Sequence, residues 1–278
     1  MRAPDQRTGS APRLSIVTGA ASGLGRAFAE QLATHGSGLL LLDRNGPLLE
    51  ESAAKLAKRY SVRVETLAAD LSLADTPARA FERLQHLGLT ADALFNNAGF
   101  NVYGRFEYSD LDREIEMIRV HSIATTQLSK LFLGKRDREQ RNRILNVSSI
   151  AALVPGPFVS VHFATRAHLL SFSLALAEEF RDTDVDVSCL CPGPMATPFF
   201  ETAGMTDVRL FSGWPLKTMS ATDVATLGYR ALMDGKRMYV PGRRNRLFAF
   251  AADIAPRPLK IRFARWVMDR VQPVRDAN

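Results

Sequence analysis

Two cysteines in 278 residues exclude a disulfide framework, and no cysteine spacing matches a zinc-binding pattern. Cys189 and Cys191 alternate along an apolar stretch. Their side chains therefore share a face with one residue between them, a poor geometry for a bridge, and both are expected to be free and buried. Histidines are also few, and His121, His162 and His168 come with no Asp or Glu at ligand spacing, so no metal is expected. No apolar run approaches the ~18 residues of a membrane-spanning helix. The opening MRAPDQRTGSAPR lacks the apolar centre of a secretion signal, so a cytoplasmic protein with a flexible N-terminus over residues 1–11 is expected. The net charge of +7 is concentrated: residues 242–278 hold nine Lys or Arg against three Asp, which is +6 of it. The main body is left close to neutral, and a nucleic-acid partner has little support.

What the chain does have is a 46% hydrophobic composition, enough for one large core. Apolar runs of strand length alternate with helical patterns: LSIVT then LGRAFAEQLATHG, LLLLD then PLLEESAAKLAKRY, VRVETLAA then TPARAFERLQHLG, and ADALFNN. RILNVSS, the long FVSVHFATRAHLLSFSLALAEEF, DVDVSCLCPG, a helix near 221–233 and RMYVPG follow. Strands that are apolar throughout must be covered on both faces. The expected fold is therefore α/β, a Rossmann-like doubly wound parallel sheet in one domain over residues 12–241, with basic amphipathic helices over 242–278.

TGAASGLG follows the first strand and opens the first helix, with Gly19, Gly23 and Gly25 at a TGxxxGxG spacing and Ser22 and Leu24 between them. Glycines there permit a tight turn and close approach of a pyrophosphate to helix N-terminal amides. Asp43, ending the second strand, can accept from ribose hydroxyls and repel a 2′-phosphate, which favours NADH; Arg44 beside it leaves NADPH open. Asp70 and Leu71 are placed for the adenine, and Asn97, Ala98 and Gly99 of NNAG run along the cofactor.

Taken in order, TGxxxGxG, Asp43, Asp70, NNAG, NVSS and CPGPMAT resemble the short-chain dehydrogenase/reductase family over about residues 12–240. The resemblance implies a nicotinamide dinucleotide held also by Pro192, Gly193 and Thr197. It implies chemistry by a serine, a tyrosine and a lysine, helped by an asparagine. Ser149 matches the serine, but thirteen residues on stands His162, four further Arg166, and the asparagine position holds His121. An imidazole is shorter than a phenol by roughly 2 Å, so a gap opens where the hydroxyl would be. Arg166 is a permanent cation that can hold ribose hydroxyls, and its charge favours a neutral His162, a poor acid. Three readings stay open: an NAD(P)H-dependent ketoreductase whose substrate or a water supplies the proton, one in which His162 is the general acid, and a non-redox cyclase, isomerase or nucleotide-binding sensor. The family also includes ketoreductases of aromatic polyketide antibiotic pathways that work without the tyrosine, such as that of simocyclinone formation, and the sequence is similar in kind.

The segment PFFETAGMTDVRLFSGWPLKTMS is rich in bulky apolar residues, and Phe199, Phe200, Met205, Phe211 and Trp214 are expected to cover a bulky ketone, with Tyr103 and Phe106 on the opposite wall. In the tail, Ile261, Ala264, Met268 and Val271 fall on one helical face, with Arg262, Arg265 and Arg270 among the polar positions. That face can pack on the main domain or a second subunit, or dock on an anionic membrane surface.

Overall fold

A computed structural model describes residues 13–195, 203–205, 207–211, 216 and 218–270; for Phe211 only the backbone is described. The expected flexible N-terminus, Thr197, Phe199, Phe200, Trp214 and Val271 lie outside the described residues.

Seven parallel strands form one sheet: β1 (Arg13–Thr18), β2 (Gly38–Asp43), β3 (Val64–Ala68), β4 (Thr90–Asn96), β5 (Asn142–Val147), β6 (Val185–Leu190) and β7 (Met238–Tyr239), in the order β3-β2-β1-β4-β5-β6-β7. The uniformly apolar strand signal has a direct cause. Leu39 and Leu41 of β2 pack on one face with Phe28 and Leu49, while Leu40 and Leu42 pack on the other with Phe81 and Leu84. A strand between two helical layers has no face on which a polar residue is cheap.

The first layer contains α1 (Gly23–Thr34), α2 (Gly46–Tyr60) and α7 (Ala221–Met233). The second contains α3 (Thr76–His86), α5 (Thr125–Lys135) and α6 (Ser160–Glu179). Between α4 (Leu111–Ile118) and α5 the helix widens into a π-helical turn over Arg119–Ala124, which carries His121 inward. Such widened turns often occur at functional sites.

Some helix starts follow their local sequence. Asn45 Oδ1 accepts from Leu48 N at the start of α2, and Ser220 Oγ accepts from Asp223 N at the start of α7. At the start of α1, Ser22 stands in extended backbone and its side chain caps nothing. The amides of that first turn are left for another acceptor.

β1 and β4 are adjacent while the chain winds away from them in opposite directions, so a crevice opens at their C-terminal ends. The two cysteines are free and fully buried with their sulfurs 3.8 Å apart. The tail forms α8 (Arg243–Ile254) and α9 (Arg257–Met268), divided at Pro256. Ala264 and Met268 face inward as expected, but Ile261 is 42% exposed; Val267 takes the place expected of it. The buried stripe is thus rotated, because α9 packs on a third apolar cluster around Phe163, Leu210 and Val240.

Candidate active site

Gly19, Ser22, Gly23, Leu24, Asp43, Arg44, Asn97, Ala98, Gly99, Pro192 and Gly193 line one continuous cleft along the crevice, and Asp70 and Leu71 line its extension. Gly19 has a φ of +66°, where only glycine is unstrained, and a Cβ on it would lie 2.9 Å from the Ala98 Cα. Gly25 does not line the cleft. A Cβ there would meet the Gly19 carbonyl oxygen at 2.0 Å, so this glycine lets α1 pack against the loop rather than touch a ligand.

Asp43 is held between two amides, Oδ2 accepting from Ala21 N at 3.0 Å and Oδ1 from Asn45 N at 2.9 Å. Arg44 turns to Glu116, with Nη1 3.1 Å from Oε1, and Arg113 pairs with the same carboxylate. Asp70 Oδ1 accepts from Ser72 N. Asn97 Nδ2 donates to the Thr18 carbonyl, which leaves its neighbouring backbone along the cleft.

Arg166, His121 and His162 are brought together and buried, each less than a tenth exposed. Arg166 Nη1 donates to the Val147 carbonyl at 2.8 Å and Nη2 to His121 Nε2 at 3.1 Å; Phe100 N donates to that same His121 nitrogen at 3.1 Å. Neither donor can accept, so His121 Nε2 carries no proton and the ring is neutral with Nδ1–H. That Nδ1–H donates to Thr165 Oγ1 at 2.9 Å, and the Thr165 hydroxyl passes its own proton to the His162 carbonyl at 2.8 Å. His121 is therefore a positioning residue for Arg166.

Burial, and then the Arg166 charge, hold both imidazoles well below the ordinary histidine range. Sequence reasoning identified the smaller of these causes, since burial cannot be read from spacing. Burial also pushes the Arg166 guanidinium down to about 10, still charged at neutral pH. Among the described residues no carboxylate pairs with it, and its Nε has no hydrogen-bond partner. An orphaned cationic donor lining a cleft of uncapped helix amides fits a dinucleotide with anionic phosphates and ribose hydroxyls.

Beyond Ser149, His162 and Gly193, which line both spaces, the cleft opens into an apolar chamber of about 640 Å³ including its mouth. Ser149 Oγ accepts from Ala151 N at 3.1 Å and donates to the Pro192 carbonyl at 3.3 Å, holding this junction in shape. Met205 lines the chamber as expected. Tyr103 does not: its hydroxyl donates to the Met268 carbonyl at 2.8 Å, and the ring lies against Phe158. Phe106 is 64% exposed on a short 3-10 turn (Phe106–Tyr108), away from the chamber, so its expected role is corrected. The walls are instead Phe163 on α6 together with Phe248 and Phe263 on the tail helices.

Spacing gave no sign of this use of the tail. Gly193 provides a second tie: a Cβ on it would meet the Asn245 side chain at 2.6 Å, so α8 is seated directly on the cofactor loop. Thr197 lies outside the described residues.

Residues 13–207 match the family model of short chain dehydrogenase. The chain is 31% identical over 193 residues to a very-long-chain 3-oxoacyl-CoA reductase of Mus musculus, covering 67% of this chain and 61% of that protein. It is 33% identical over 200 residues to one from Mycosarcoma maydis, covering 70% and 55%. The chain thus spans about three fifths of the length of the curated relatives it matches. Among solved structures, a 7β-hydroxysteroid dehydrogenase superposes with a TM-score of 0.79 at 21% identity, covering 92% and 97%. A short chain dehydrogenase/reductase from Burkholderia phymatum, in complex with NAD, gives 0.76 at 22%, covering 94% and 98%.

Proposed function

The chain belongs to the short chain dehydrogenase family, and from that premise we propose that it is an NAD(P)H-dependent reductase of a bulky, apolar ketone. The observation that carries this reading is the meeting of the polar cleft and the apolar chamber at Ser149 and His162. Bound nicotinamide would supply a hydride to the carbonyl carbon. NADH is the preferred form, because Asp43 faces the cleft with its carboxylate fixed and Arg44 is neutralised by Glu116.

The chain's own residues then do three things. The amides of α1 and the Arg166 guanidinium hold anionic and hydroxyl groups of the cofactor. The apolar chamber limits water at the reacting face. Turned from the Pro192 carbonyl to which it donates, the Ser149 hydroxyl would orient the substrate carbonyl, and the nearby guanidinium would favour the negative charge that grows on its oxygen.

Among the described residues no strong proton donor stands at the junction. His121 has its nitrogens committed, and His162 is buried and neutral. The proton therefore comes from the substrate, for instance a phenol beside the ketone, or from a water. Phe163, Phe248 and Phe263 favour a flat, polyketide-like ring system over the acyl chain that the names of the curated relatives imply. Reduction with nicotinamide-deuterated NADH tests this reading against both kinds of ketone. Deuterium at the product carbinol carbon of an aromatic ketone is expected. Product formed without cofactor consumption would replace the reading with a cyclase or isomerase, and binding without turnover would replace it with a sensor.

A further inference from the structure

We infer that the outer face of α8 and α9 docks this chain onto an anionic lipid bilayer. Leu247, Phe250 and Ile254 stand 69%, 64% and 68% exposed on α8. Their spacing of three and four residues puts them in one stripe. On α9, Leu259 and Ile261 are also exposed, at 57% and 42%. These two helices hold six of the fourteen large hydrophobic residues exposed among the described residues, a concentration that scattered surface hydrophobics do not produce.

Among the described residues the charge on these two helices is positive except at Asp253. Arg243, Arg244, Arg246, Arg257 and Arg262 are exposed, and none pairs with a carboxylate among the described residues. Three of them occupy the first turn of α8 and one begins α9, where the positive end of the helix dipole disfavours a cation. Neither first turn contains an acidic residue to offset this. Arginines in that position, interleaved with bulky apolar side chains, present one large cationic and apolar face. A bilayer with anionic headgroups satisfies both halves at once, charge at the headgroups and apolar side chains at the acyl boundary.

A second copy of the chain fits less well. An isologous contact through this face would set the arginines of one copy against those of the other, with no acidic partner on the same surface except Asp253. The inner side of the same helices carries Phe248 and Phe263 into the chamber, so a docked bilayer and the chamber would be separated by one layer of helix. That places an apolar substrate reservoir beside the space that would receive it.

Co-sedimentation of the full chain with large vesicles tests the inference, using phosphatidylcholine alone and phosphatidylcholine with about one-third phosphatidylglycerol. Binding to the anionic vesicles, weak binding to the neutral ones and release by about 0.5 M salt are expected. Each arginine removed should weaken binding about fivefold, so Arg244→Ala/Arg246→Ala/Arg262→Ala should lose about 100-fold. Leu247→Ser/Phe250→Ser should also detach the chain, while both variants keep the parent's thermal unfolding and NADH titration. No binding to anionic vesicles, or equal binding to both kinds, overturns the inference. A dimer dissociated by Leu247→Ser/Phe250→Ser, without vesicle binding, would assign the face to a second copy. Should the variants fail to fold, the salt and lipid dependence of the unmodified chain decides alone.

Discussion

Arg166→Met is expected to leave the fold as stable as before or more so, while weakening dinucleotide binding. Burial lowers the guanidinium from its ordinary value to about 10. At 1.36 kcal/mol per pH unit that gap is worth about 3 kcal/mol against the charged form. The sign follows from proton counting. Below about pH 10 the side chain is charged in both states and the folded state bears the whole penalty. Above that the unfolded chain, whose guanidinium keeps its ordinary higher value, binds more protons, so stability rises as the penalty fades.

Methionine has similar length and no charge, so the variant sheds this penalty. Against it stands the Val147 carbonyl, which loses its donor at a cost of about 1–3 kcal/mol; His121 Nε2 keeps the Phe100 amide. The net lies between about zero and 2 kcal/mol of added stability. At roughly 2–4 °C per kcal/mol for a chain of this size, thermal unfolding should shift upward by anything from nothing to several degrees. NADH affinity, followed by fluorescence titration, should fall about tenfold or more, the loss of a charged hydrogen bond. A Tm lowered by more than about 4 °C with NADH affinity intact would refute the reasoning, for it would make the guanidinium a structural stabiliser with no ligand to hold.

His162→Phe is expected to retain substantial activity, whereas methylating a phenol next to the substrate ketone abolishes it; the reverse pattern, with about 10² to 10⁴ lost in the variant, would make His162 the acid. Glu116→Gln should release Arg44 toward a 2′-phosphate and improve NADPH binding several-fold relative to NADH, which paired titrations would measure. Because His121 and His162 are held neutral in the fold, the unfolded chain binds more protons below its own imidazole value near 6.5, and stability is lost as pH falls through that region. The double variant His121→Asn/His162→Phe should flatten this acid limb in urea unfolding followed from pH 7.5 to about 5.

The doubly wound parallel sheet, the glycine cradle and the acidic end of β2 were legible in the chain because they rest on local rules. Apolar runs covered on both faces must be inner strands, and a glycine trio between strand and helix leaves amides open. The spacing of four from His162 to Arg166 likewise put these two side chains one turn apart on α6, whereas the place of Ser149 beside them came from the family resemblance. What the chain could not state by itself was burial and long-range partnership. The protonation of His121 depends on two donors, Phe100 and Arg166, the latter 45 residues away, and only their convergence in space excludes a proton from Nε2. The substrate wall shows the same limit. Phe106 had the right composition but turned to solvent, while Phe248 and Phe263 reached the chamber from a tail whose position was set by a third core cluster and by Asn245 against Gly193. Periodicity tells a helix which face is apolar, but only the shape of the surface that receives it decides where that face goes.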